Sequence, residues 1–112
     1  MRMKNWMLTA VLAVPMAATG ADIVTVRGAG TGQCKDYLEM RRMKNAPDTY
    51  QVAAWVQGFL TGHNVFVRAR NLPIPDVGST LVELDRYCQA HPDKALSDGA
   101  LRIAQGLGAA KP

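Results

Sequence analysis

The stretch WVQGFLTGHN, Trp55 to Asn64, decides how this chain folds. Read outward from it, Val52, Trp55, Val56, Phe59, Leu60, His63, Phe66 and Val67 recur at i, i+3 and i+4. That period predicts one long helix over 49–68 with this stripe turned inward. Gly58 and Gly62 interrupt the pattern, and each costs a helix interior roughly 1 kcal/mol relative to alanine. With Ala54 they fall four apart on one ridge, where small side chains let a second helix come close. A tight helix crossing in the core at Ala54, Gly58 and Gly62 is therefore expected, with a backbone-lined ligand groove as the functional alternative.

The flanking sequence predicts three further helices. One runs from Gln33 to about Lys44, with Cys34, Tyr37, Leu38 and the stem of Arg41 on one face. Asn45-Ala46-Pro47-Asp48 reads as a turn, with Asp48 or Thr49 as the cap of the long helix. Two prolines two apart forbid helix across Asn71 to Asp76. The third helix starts near Ser79 or Thr80, where Thr80-x-x-Glu83 matches a capping box, and carries Leu81, Leu84 and Cys88 inward up to Pro92. The fourth runs from about Asp93 to Leu107 on Leu96, Ala100, Ile103 and Leu107. The fold class is all-α: one small four-helix domain over 33–107, preceded by a flexible glycine-rich leader over 22–32 and followed by a frayed tail over 108–112.

The first residues read differently. Arg2 and Lys4 precede a short apolar run interrupted by Pro15, and Ala18-Thr19-Gly20-Ala21 supplies small residues. This is the layout of a cleaved secretory signal over 1–21, with the cut after Gly20 or Ala21. The apolar run falls short of the roughly 20 residues a membrane span needs, so no span is expected after cleavage. Without Arg2 and Lys4 the chain keeps 11 basic and 9 acidic residues, a net charge of +2. An exported, nearly balanced domain without a basic stripe is a poor nucleic-acid binder.

Cys34 and Cys88 are the two cysteines. In an oxidising compartment such as the periplasm they are expected to pair. The bond would close a loop of about 55 residues and contribute roughly 4 kcal/mol. Two cysteines without paired histidines make a poor metal site, and no metal is expected.

Candidate chemistry is sparse. Gly28-x-Gly30-x-Gly32 lacks the third glycine of a dinucleotide loop and is followed by no second strand with an acidic end, so no cofactor is expected. His63 and Asn64 read as a hydrogen-bonded polar pair late in an apolar stripe, and no serine, cysteine or carboxylate stands at a spacing that builds a triad with His63 or His91. No catalytic residue is assigned. Trp55 and Phe59 are candidate anchors for a protein partner, as are His63 and Asn64 beside them. The proline-stiffened loop after Arg68-Ala69-Arg70 is expected to lie over the core; alternatively it could present Leu72 and Ile74 to a partner at little entropic cost.

Cys34 at a helix start, the long apolar helix and YCQAHPDKALSDGALRIAQGL around Cys88 together resemble the small periplasmic HdeA/HdeB-like proteins. WVQGFLTGHN is similar to a stretch shared by exported proteins with the same cysteine frame. The resemblance covers roughly 33–107. It implies an all-α domain held by one disulfide, homodimeric at neutral pH, that opens in strong acid and holds unfolded clients as a stress chaperone. Such opening has a physical basis here: below about pH 3 carboxylates of ordinary pKa are neutral and the chain would carry about +14. The last helix lacks the lysine-rich end of the acid chaperones, keeping Lys94 and Lys111. A second resemblance, to Tai-type periplasmic immunity proteins, implies an inhibitor of a cell-wall amidase, although the extra cysteines of that group are missing. An accessory role in an envelope assembly is the further alternative. All three are binding functions and not enzymatic ones.

Overall fold

The computed structural model describes residues 24–109, and the signal expected over 1–21 lies outside the described residues. Within them the chain forms four helices: α1 (Cys34–Arg42), α2 (Ala46–Phe66), α3 (Val77–Ala90) and α4 (Leu96–Ala109). Short 3-10 turns occupy Gly28–Thr31 and Arg68–Arg70. Cys34 and Cys88 are joined by a disulfide, Cα to Cα 5.0 Å, and both are fully buried. The bond ties the first turn of α1 to the last of α3.

Local chemistry explains the helix ends. α1 closes in a Schellman motif: Asn45 N–H donates to Met40 O and Lys44 N–H to Arg41 O, both at 3.1 Å. Lys44 takes φ of 56°, where glycine is usual. The long helix starts three residues before the predicted 49, because Asn45 and not Asp48 or Thr49 is its cap. Asn45 Oδ1 accepts from Asp48 N–H at 3.2 Å, and Pro47 needs no N–H in the first turn. Asp76 caps α3 through Ser79 N–H at 2.7 Å. Thr80, expected to open a capping box, is instead fully buried inside α3. The last helix begins at Leu96 rather than Asp93, after a turn.

The start of α1 is satisfied from a distance. Cys34 N–H donates to Lys94 O at 2.8 Å and Lys35 N–H to Pro92 O at 3.1 Å, while Leu96 N–H donates to Gly32 O at 2.8 Å. Backbone donors left orphan at two helix N-termini thus bind carbonyls contributed by the α3–α4 link and by the segment before α1. The glycine-rich segment, expected as a free leader, is packed in place over 28–32. Its 3-10 turn lies on the Trp55 indole, and Trp55 Nε1 donates to Arg27 O at 2.7 Å.

The core is built from the predicted stripes: Cys34 and Tyr37 of α1, Val52, Val56 and Leu60 of α2, Leu81, Leu84 and Cys88 of α3, and Leu96, Ala100 and Ile103 of α4. Of the predicted stripe of α2, Trp55, Phe59 and His63 are half-buried, and Phe66 and Val67, at the end of the helix and just past it, are exposed. The close helix approach lies elsewhere than expected. Gly99 of α4 faces α3, where a Cβ would stand 2.8 Å from Leu84 Cδ1 and 3.0 Å from Tyr87 Cδ2. At Gly58 and Gly62 a Cβ would meet nothing within 4 Å. The predicted core crossing at Ala54, Gly58 and Gly62 is therefore not formed within the chain. The stripe faces outward because Val56 and Leu60 claim the opposite side of α2.

Candidate protein-binding surface

The outer face of α2 follows from this rotation. Between Thr49 and Val67 the sequence has no Asp, Glu, Lys or Arg. Tyr50, Gln51, Ala54, Gly58, Thr61, Val65 and Phe66 are exposed on this side. Phe66 is 87% exposed and Tyr50 61%, placing two rings at opposite ends of a helix about 30 Å long. Beside Gly58, Trp55 and Phe59 stack with ring centroids 5.8 Å apart and planes 9° from parallel. Both are half-buried, so their edges border the uncharged face while their bodies lean on the core. Uncharged surface of this extent, flanked by aromatic rings, suits contact with another protein.

The polar side of α2 does a different job. Asn64 Nδ2 donates to Leu72 O at 3.0 Å, and Leu72 N–H donates to Asn64 Oδ1 at 2.7 Å. Two turns earlier, Gln57 Nε2 donates to Pro75 O at 2.9 Å and to Thr80 Oγ1 at 2.8 Å. Seven residues apart, these two amides hold both ends of the proline loop against the helix. Leu72 is consequently buried and Ile74 half-buried against the core. The loop thus lies over the core, as expected, and the alternative of presenting Leu72 and Ile74 to a partner is corrected, because their side chains complete the fold. Asn64 is likewise engaged within the chain, and His63 Nδ1 lies 3.3 Å from the same Asn64 Oδ1.

A second polar cluster joins α1 to α3. Asp85 receives Arg41 Nε at 2.9 Å, Arg41 Nη2 at 2.8 Å and Tyr37 Oη at 2.6 Å. Partial burial pushes the Asp85 carboxyl up, but the hydrogen bonds from Arg41 and Tyr37 outweigh it and hold the group below the usual carboxylate range. Burial, reinforced by the hydrogen bond and charge of Asp85, drives the Tyr37 phenol far above its ordinary value. Sequence reading placed Tyr37 and the Arg41 stem on one helix face but did not find Asp85. Its position one residue after Leu84, on the edge of the α3 stripe, was the available signal.

A third feature is a cleft of about 580 Å³ between α3 and α4, with Ile103 and Leu107 among its apolar walls and Arg86 and Arg102 among its polar ones. His91 packs on Tyr87 at its edge, with ring centroids 4.6 Å apart and planes tilted by 35°. The two histidines thus stand in unrelated surroundings. Among the described residues no group of three or more His, Cys, Asp or Glu side chains could hold a metal ion. No helix among them is long and apolar enough to cross a membrane. Comparison of the chain with protein-family models, with curated proteins and with solved structures finds no match.

Proposed function

We propose that this chain is an exported, periplasmic protein-binding domain of HdeA-like character, a stress chaperone or client-binding protein and not an enzyme. The observation that carries this reading is the uncovered, charge-free face of α2 with Tyr50 and Phe66 at its ends. Binding there needs no desolvation of ionised side chains, which favours apolar segments of unfolded polypeptide over charged surfaces. The Arg41–Asp85–Tyr37 cluster supplies an acid-sensitive tie between α1 and α3, so protonation would loosen the helices and enlarge the apolar surface on offer.

The test follows a hydrophobic probe's fluorescence and the aggregation of several client proteins from pH 7 to pH 2, on the oxidised protein. The expected result is exposure of apolar surface together with protection of more than one client in acid. A protein that stays closed, or opens and protects nothing, removes the chaperone reading. The alternative of an immunity or inhibitor protein is favoured by Phe66, which already stands out from the closed fold and could enter a pocket on one folded partner. Tight binding at pH 7 to a single cell-wall amidase, lost on Phe66→Ala, would select it.

A further inference from the structure

We infer that the tip of α2 and the turn after it, residues 65–71, rest on an anionic phospholipid surface, Phe66 entering the acyl boundary and Arg68 and Arg70 meeting headgroup phosphates. This contact is separate from client binding and does not depend on it.

The tip is a tied-off projection. Val67 N–H donates to His63 O at 2.8 Å and Arg70 N–H to Val67 O at 3.0 Å, so α2 runs directly into the 3-10 turn Arg68–Arg70. Asn64 then holds Leu72 by two hydrogen bonds and closes the base. Between these two anchors every residue from 65 to 71 is exposed. Val65 is 53% exposed, Phe66 87% and Val67 41%. Three consecutive apolar side chains left in water by a hydrogen-bonded backbone contribute little to the fold and mark a contact surface.

Charge names the partner. From Thr49 to Pro75 the sequence holds no Asp or Glu, and from Gly99 to Pro112 none. The second stretch reaches the same end of the molecule, where a Cβ at Gly108 of α4 would stand 3.8 Å from Leu72 Cδ2. Asp76, the carboxylate nearest to Arg70 in sequence, lies past the loop and caps α3 through Ser79 N–H. The ion pairs among the described residues are Arg41–Asp85, Arg42–Glu39 and Arg86–Glu83, so Arg68 and Arg70 have no acidic partner among them. Two guanidiniums beside an exposed ring are what interfacial binding uses. The planar forks match phosphate oxygens, and the long stems lie along the apolar layer while the charge stays wet.

Shape favours lipid over an acidic protein. A standard protein interface takes ~800 Å² per partner. The apolar side chains of the tip supply a fraction of that, with Phe66, at about 150–250 Å² when fully exposed, the largest of them. Fluid headgroups close around a projecting ring without a matching pocket.

Flotation of the oxidised, exported protein at pH 7 with phosphatidylglycerol–phosphatidylcholine vesicles tests the inference, beside vesicles of phosphatidylcholine alone. The expected result is binding to the anionic vesicles that weakens at least ~10-fold between about 50 and 500 mM salt. Arg68→Gln combined with Arg70→Gln should lower the partition constant ~10–30-fold. Phe66→Ala should lower it ~10-fold. All three side chains are exposed, so the variants should keep the wild-type unfolding midpoint. Phe66→Trp should shift its emission to the blue on the anionic vesicles only. Equal binding to both vesicle types, no binding at millimolar lipid, or an arginine-pair variant as tight as wild type overturns the inference. A Phe66→Trp spectrum unchanged on vesicles that do bind overturns it too, by placing the contact elsewhere. Binding of polyglutamate in place of vesicles assigns the arginines to an acidic protein and likewise overturns it. Client protection in acid should survive in the arginine-pair variant while vesicle binding is lost. Salt-sensitive vesicle binding by a protein that protects no client supports the inference and removes only the chaperone reading.

Discussion

Asn64 satisfies both backbone groups of Leu72, accepting from its N–H at 2.7 Å and donating to its carbonyl at 3.0 Å, so one side chain of α2 acts toward the loop as a neighbouring strand would. Leu72 is 6% exposed, and water cannot readily replace the lost partner. The proline loop therefore owes its place to an amide and not to local propensity.

Replacing Asn64 by Ala should destabilise the fold by about 2–3 kcal/mol, the cost of leaving two poorly hydrated backbone groups unpaired. Asn64→Asp keeps the acceptor for Leu72 N–H but turns a carboxylate toward Leu72 O, and should fall between. Urea denaturation at pH 7 measures both. Hydrogen exchange at the Leu72 amide should quicken in the alanine variant more than at core amides of α3.

The glycines should separate into two classes. A Cβ at Gly30 would overlap the Trp55 ring, and one at Gly99 would press on Leu84 and Tyr87. Alanine at either is expected to cost about 1–3 kcal/mol through overpacking. Gly58→Ala meets open space and should stabilise the monomer by about 0.5–1 kcal/mol, since alanine is the better helix former. Thermal melts at dilute concentration read all three. Gly30→Ala should also shift Trp55 emission, because it alone displaces the strap over the indole.

Asp85 should govern part of the acid response. Its folded carboxyl titrates below its unfolded value, so its contribution is complete above about pH 5 and declines as pH falls through the folded value. Asp85→Asn is expected to cost about 1–2 kcal/mol at pH 7, at the modest end because Arg41 and Asp85 keep part of their exposure. The gap between variant and wild type should then narrow below pH 4. A gap constant from pH 7 to pH 3 would show that the carboxylate is not the titrating tie. At the other extreme, the raised Tyr37 phenol contributes stability below about pH 10 that is lost at higher pH.

Reduction tests the staple. Cys34 and Cys88 lie 54 positions apart, and opening their bond should lower stability by roughly 4 kcal/mol, most of what a domain of this size possesses. A Cys34→Ser, Cys88→Ser protein should be largely unfolded at 37 °C by circular dichroism. Reductant should leave that variant unchanged while melting the wild type.

The sequence by itself determined the four helices, the disulfide pair and most of the core, because a period of 3.6 residues records on which side each helix meets apolar surroundings. Val52, Val56 and Leu60, or Leu81, Leu84 and Cys88, are legible for that reason. What only the tertiary structure decided is which residues use that proximity. Gly58 and Gly99 look alike in a helix pattern, yet one faces solvent and the other Leu84, since the difference lies in a neighbour distant in sequence. Phe66 fits the apolar stripe of α2, but the helix outruns the core and leaves it exposed. Asn64 reads as a hydrogen-bonded residue from the sequence, but its partner, like that of Gln57, is supplied only when the loop packs on α2. Asp85 acquires Tyr37 and Arg41 once α1 packs on α3. The candidate binding face emerged in the same way: its residues were visible in the sequence, but their outward direction was set by which side of α2 the other three helices covered.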